Sequence, residues 1–305
     1  MKGQDTDLDL IGVRESLAGR VALLQLSPLS YGEITEDDAT LPFRVELSAL
    51  TERRTAGRCW TPPPSFSGYS PGGMPALVSG QYANPNIFYS SYISTYLDRD
   101  VRRLSAGIDD LKFLGFLRAS AARAGQQINY KGIADDAEID QATAKNWLHI
   151  LETLGIVFLL RPYSNNVLKR TVSTLKLYFY GTGLVCYLTQ WSSPETAMNG
   201  AMNEALLENY AVSEIVKTYQ NAGQKPFLYY YRDKDAREID LLPEQDGTLF
   251  PIKIKKMAAP PKKLTKVFEL IGKSPLEQGT GAVLCMADRL GAFDKDNRIV
   301  PISLI

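Results

Sequence analysis

Three apolar runs set close together, Leu228 to Tyr231, Ile239 to Leu242 and Leu249 to Ile254, constrain this chain more than any other feature. A turn cluster, Gln245-Asp246-Gly247, separates the last two. Their aromatic and β-branched content, their alternation and the Asp-Gly pair predict three short strands, the last two forming a hairpin. Side chains repeat with period two along a strand, so Glu238 and Asp240 share one face of the middle strand and Lys253 and Lys255 share one face of the last. A hard divalent cation takes oxygen ligands. Asp240 and Glu238 are therefore the candidate metal ligands, with Lys255 across the hairpin beside them.

The segment Glu238-Ile239-Asp240, a hairpin, then Lys253-Ile254-Lys255-Lys256 resembles the PD-(D/E)xK restriction-endonuclease-like fold, in the form found at the C-terminus of a large bacterial and archaeal family of AAA-type ATPases. The C-terminal domain of that family has no assigned function. The resemblance implies that Asp240 is the hairpin aspartate, that Lys253 stands at the Glu position and that Lys255 is the lysine. The departure is at Lys253, because the usual metal site has two acidic ligands. An ammonium there repels a divalent ion and competes for Asp240, by on the order of a few kcal/mol at an effective dielectric of about 20. A further carboxylate would come from Glu238 or from a helix expected over Met202 to Thr218. Glu208 and Glu214 on that helix are six residues apart and lie on different faces, so at most one serves. Asp240, Lys255 and Glu208 are thus the vestigial catalytic positions. The plain alternative is a solvated strand face with local ion pairs.

The resemblance extends from about Gly12 to Ile254. It rests on Glu15-Ser16-Leu17-Ala18-Gly19-Arg20, on Leu26-Ser27-Pro28-Leu29-Ser30, on the Gly72-Gly73-Met74-Pro75 turn, on Tyr96-Leu97-Asp98-Arg99-Asp100-Val101, on Arg161-Pro162-Tyr163-Ser164-Asn165-Asn166 and on Lys176-Leu177-Tyr178-Phe179. It implies an α/β multidomain chain. The remnant of a P-loop AAA-type core occupies 1–38, a lid and linker helix 39–108, a winged helix-turn-helix 109–190 and a restriction-endonuclease-like α/β domain 191–305. A helix at Asp9 to Ala18, a strand at Val21 to Leu26 and a helix at Ile87 to Ser105 are expected in its first part. No G-x-x-x-x-G-K-[ST] loop occurs: Gly272-Lys273-Ser274 has Val267 where the first glycine should stand. Mg and ATP are thus cofactors of intact relatives, none is expected in this chain, and a fragment or a degenerate gene product is the expectation. Arg99 or Arg102 would serve near phosphates in an intact ATPase. Here they are expected to pair with Asp98 and Asp100.

Helical periodicity marks Leu111 to Arg123, Tyr130 to Ala137 and Gln141 to Leu154. In the last, Ala144, Trp147, Leu148, Leu151 and Leu154 form one apolar stripe behind an Asp140 N-cap. Two strands follow, Ile156 to Tyr163 and Lys176 to Tyr180, which is the order of a winged helix. DNA contact would use Lys145, Asn146 and His149 on the third helix and Lys169, Arg170 and Lys176 on the wing. A second basic patch lies between Lys253 and Lys266, with six lysines and no acidic residue. Lys253, Lys256, Lys262 and Lys263 are its candidate phosphate contacts. A solvated loop around Pro260-Pro261 is the alternative.

In 305 residues, Lys plus Arg and Asp plus Glu balance at 34 each, so any polyanion site is local. No apolar run approaches a membrane span and the first residues do not read as a secretory signal, so a cytoplasmic protein is expected. Cys59, Cys186 and Cys285 have no metal-ligand spacing, and His149 is the single histidine, on a helix with no nucleophile nearby in sequence. Three functions follow: a catalytically silent, nucleic-acid-associated member of the ATPase family; an active Mg-dependent nuclease using Asp240 and Lys255; or a protein-interaction or homo-oligomerisation module.

Overall fold

The computed structural model describes residues 26–35, 41–55, 72–97, 99, 101–102, 107–164, 174–191 and 193–305. The helix expected at Asp9 to Ala18, all but the last residue of the strand at Val21 to Leu26, Cys59, Asp98, Asp100, Lys169 and Arg170 lie outside these residues.

The chain is a mixed α/β structure. Helices α1 (Tyr31–Ile34), α2 (Leu47–Thr55), α3 (Pro75–Val78) and α4 (Pro85–Ser91) come first. The single helix expected from Ile87 onward instead starts at Pro85 and widens into a π-helical turn at Tyr92–Leu97. Within this turn Ser94 Oγ donates to the Ser90 carbonyl at 2.9 Å and Thr95 Oγ1 to that of Ser91, bonds of the kind that weaken a regular helical ladder. Next come α5 (Asp110–Ala121), α6 (Tyr130–Asp136) and α7 (Gln141–Thr153), each with its side-chain N-cap, Asp109, Asn129 and Asp140. Phe113, Phe116, Leu117, Trp147, Leu148 and Leu151 form the centre of their shared core.

Strands β1 (Val157–Pro162) and β2 (Lys176–Phe179) pair antiparallel. Helices α8 (Thr182–Leu188) and α9 (Pro194–Asn199) then lead to the long α10 (Asn203–Asn221). Strands β3 (Leu228–Arg232), β4 (Glu238–Gln245), β5 (Thr248–Leu249) and β6 (Ile252–Lys255) follow, then a 3₁₀ helix at Lys262–Lys273. Strands β7 (Glu277–Gln278), β8 (Gly281–Cys285), β9 (Gly291–Ala292) and β10 (Asn297–Pro301) follow, and a 3₁₀ turn at Ile302–Leu304 comes last. The turn at Asp246-Gly247, both at positive φ, joins β4 to β5, and β4 pairs β6 antiparallel with Leu241 opposite Ile252.

One sheet runs β2-β1-β3-β4-β6-β8-β10-β9. Its unexpected junction is between β1 and β3, which pair parallel at Arg161 with Tyr229 and Pro162 with Tyr230. The two strands that follow the three-helix segment thereby extend the C-terminal sheet. Helix α10 lies on one face, where Leu207, Tyr210, Val212 and Ile215 meet Leu241, Ile252 and Leu284. The 3₁₀ helix covers the other through Phe268 and Ile271. Asn209 on α10 binds both backbone groups of Phe179 on edge strand β2, at 2.8 and 2.9 Å, so part of that edge is satisfied by a side chain.

Candidate functional site

Where β2, α10, β4 and β6 converge, Glu208, Glu238 and Asp240 bring their carboxylates together, with one oxygen of each lying within 4.8 Å of the others. Period two aims Glu238 and Asp240 to one side of β4, as the alternation requires. The helix contributes Glu208. Glu214 points elsewhere, bonding Lys217 at 2.8 Å and the Tyr31 backbone N–H at 2.8 Å.

Cations enter this cluster directly. Lys176 on β2, only 3% exposed, places Nζ 2.7 Å from Glu208 Oε1 and 2.5 Å from Glu238 Oε1. The Tyr178 hydroxyl donates to the same Glu208 oxygen at 2.7 Å, and Tyr230 sets its ring 5.5 Å from the Lys176 ammonium. Lys253 Nζ reaches Asp240 Oδ1 at 2.5 Å and the Glu238 carbonyl at 2.9 Å, while the Ile254 N–H donates to Asp240 Oδ2 at 2.7 Å. Arg232 lies 3.3 Å from Glu238 Oε2. Among the described residues, three carboxylates thus face three cations in direct ion pairs, so these six side chains are together formally neutral.

Burial works against the Lys176 ammonium, but the Glu208, Glu238 and Asp240 carboxylates outweigh it and hold its pKa above the ordinary lysine range. Burial, then the charge of Asp240, raises Glu208, against the pull of Lys176 and Tyr178. Lys255 is held above the lysine range too: partial burial opposes its charge, but a 2.6 Å bond to Glu204 on α10 prevails.

The carboxylates are the right donors for Mg, but they do not fit it as arranged. Both Asp240 oxygens, both Glu238 oxygens and Glu208 Oε1 already have cationic or N–H partners. An ammonium about 4 Å from a divalent ion repels it by roughly 8 kcal/mol at an effective dielectric of about 20. As arranged, the cluster supports no metal-assisted step.

The remaining site residues scatter. Lys145, Asn146 and His149 are exposed along one side of α7, with His149 Nδ1 3.7 Å from Glu152. Lys256 donates to the Met198 carbonyl, and Lys262 pairs with Asp294 at 3.0 Å, whereas Lys263 is exposed on the 3₁₀ helix. The run of lysines is therefore divided between internal partners and the surface. Arg102 pairs with Asp110. Gly272 and Lys273 end a 3₁₀ helix, and Ser274 Oγ meets the Tyr163 hydroxyl at 2.8 Å.

Lys176 requires a correction. Its expected place is on the wing, facing a phosphate, but the fold buries it between two carboxylates. The residues 175–180, Leu-Lys-Leu-Tyr-Phe-Tyr, carry the signal that would have shown this: a strand apolar on both faces is a buried strand, and period two puts Lys176 on the face of Tyr178. Cys186 and Cys285 are buried thiols, as core cysteines would be.

Residues 69–195 match one family model and residues 203–305 another, described as domains of unknown function (DUF8612 and DUF4143, respectively). The chain is similar to two mycobacterial relatives, uncharacterized proteins of Mycobacterium bovis and Mycobacterium tuberculosis. Each is 27% identical over 256 residues, which is 83% of this chain and 51% of the relative. The chain thus spans about half the length of the curated relatives it matches. No solved structure matches it. Among the described residues, no helix is long and apolar enough to cross a membrane.

Proposed function

We propose that this chain is a catalytically silent, nucleic-acid-associated member of the AAA-type ATP-binding family it resembles, with a nuclease-like α/β unit joined to a winged-helix segment. One observation carries the silent reading: the ammonium groups of Lys176 and Lys253 stand among Glu208, Glu238 and Asp240, where cleavage of a phosphodiester needs a divalent cation. Lys255, the position that would face the phosphate, is bonded to Glu204. The winged-helix reading is supported by the order α5, α6, α7, β1, β2 and by a bridge between Gln127 and Lys176 that adds a third short extended segment. Exposed Lys145 and Asn146 on α7 suit a groove contact.

The test is incubation of the full chain with labelled single- and double-stranded DNA, with Mg or Mn and across a salt series, beside Asp240→Ala. The expected result is retention that weakens steeply as salt rises, with intact DNA for both proteins. Metal-dependent cleavage lost in Asp240→Ala would instead establish an active nuclease. Absence of salt-dependent retention would favour a protein-interaction module.

A further inference from the structure

We infer that Lys176 is a tethered cation: carried by β2, it sits in the carboxylate cluster in place of a divalent ion, clamps the β1–β2 hairpin onto the α/β unit and keeps metal out. This inference rests on the nuclease-like, silent reading and names what holds the site in that state.

The geometry separates Lys176 from the other cations. Lys253 belongs to the hairpin itself, binding Asp240 and the carbonyl of Glu238 on the adjoining strand. Arg232 lies on β3, beside Glu238, with a side chain 41% exposed. Lys176 alone among these comes from an element N-terminal to α10, and it bridges the helix and β4 at once through Glu208 and Glu238. Its surroundings are built for a cation. A phenol donates to the shared Glu208 oxygen, an aromatic ring faces the ammonium, and a bond from Gln127 at 2.9 Å engages the Tyr230 hydroxyl. An ammonium bonded to two carboxylates with its solvent removed resembles a bound metal ion in charge placement, but it is covalently held and is lost only if the strand moves. Displacing β2 leaves Glu208 and Glu238 without their shared counter-charge and raises the affinity of the cluster for a divalent ion.

The test is Mn titration of the full chain, followed by the electron paramagnetic resonance of free Mn, for wild type and Lys176→Gln, with circular dichroism to establish folding. Lys176→Gln is expected to bind Mn at least tenfold more tightly than wild type and to melt higher in Mn than in EDTA. A folded Lys176→Gln that binds Mn no more tightly than wild type overturns the inference. If that variant does not fold, Lys253→Gln decides. With Lys176 still seated its gain in Mn affinity should stay clearly below the tenfold expected of Lys176→Gln, although one repelling ammonium is gone; a gain of tenfold or more there would assign the exclusion to Lys253 and overturn the inference. DNA cleavage by the wild-type chain would defeat the silent reading as well, whereas a failed titration without cleavage defeats the tethered cation alone.

Discussion

Lys176 is stable as a buried cation only because two carboxylates meet it, and removing one side of such an arrangement leaves the other uncompensated. Lys176→Met keeps the aliphatic stem but removes the cation that Glu208 and Glu238 share, leaving Glu208 with the Tyr178 hydroxyl and Glu238 with Arg232, which should cost roughly 3 kcal/mol, the low end for breaking a buried pair. The pH dependence follows from its raised pKa. A lysine that holds its proton more tightly when folded contributes its full stability below the unfolded value of about 10.4 and loses it as pH rises through the folded value. The stability gap between wild type and Lys176→Met, measured by urea denaturation, should therefore be constant from neutral pH to about 10.4 and narrow above it. A gap that does not change above that pH would mean the ammonium is not what holds the site. Asp240 and Lys253 were legible beforehand because both lie on one hairpin and strand alternation places them. The partners of Lys176 were not: Glu208 is 32 residues along the chain, and a pairing at that distance leaves no local pattern.

At the scale of elements, the Gly72-Gly73 turn shows how a motif read only as a turn acquires a tertiary role. Gly73 has φ of 76°, and a Cβ there would lie 2.2 Å from the Leu29 carbonyl oxygen, whose own N–H donates to the Gly73 carbonyl at 2.7 Å. The 26–35 segment is thus docked on the turn, and on α10 through Lys217 Nζ to the Leu29 carbonyl at 3.2 Å. Gly73→Ala should destabilise the protein by roughly 2 kcal/mol or more, from left-handed backbone cost plus the displaced segment. Gly80→Ala is the control: its φ is 75° but its Cβ meets nothing within 4 Å, so it should lose only about 1–2 kcal/mol. Equal shifts in denaturation midpoint would refute the docking contribution. The turn is legible in the Gly72-Gly73-Met74-Pro75 run itself. What it would touch is not, because the contact joins segments far apart in sequence.

For the whole molecule, the β1–β3 junction makes the three-helix segment and the α/β unit share one sheet. Trp147 and Trp191 pack in the helical core, whereas Cys285 is buried in β8, four strands from β1 in that sheet. Urea unfolding of a Trp60→Phe variant, in which tryptophan fluorescence reports Trp147 and Trp191 alone, should give the same midpoint as chemical labelling of Cys285, identified by peptide mass spectrometry. Two separated transitions would mean that the shared sheet does not couple the halves. Helices α5 to α7, the strands β1 to β4 and β6 and the carboxylates of β4 follow from residues within a few turns or one hairpin of each other, since caps, periodicity and turn chemistry act over that range. The parallel pairing of β1 with β3, the burial of Lys176 and the neutral charge balance of the carboxylate cluster depend on segments brought together from distant parts of the chain. Only the packed core, which excludes water and leaves each buried charge to find a partner, decides those.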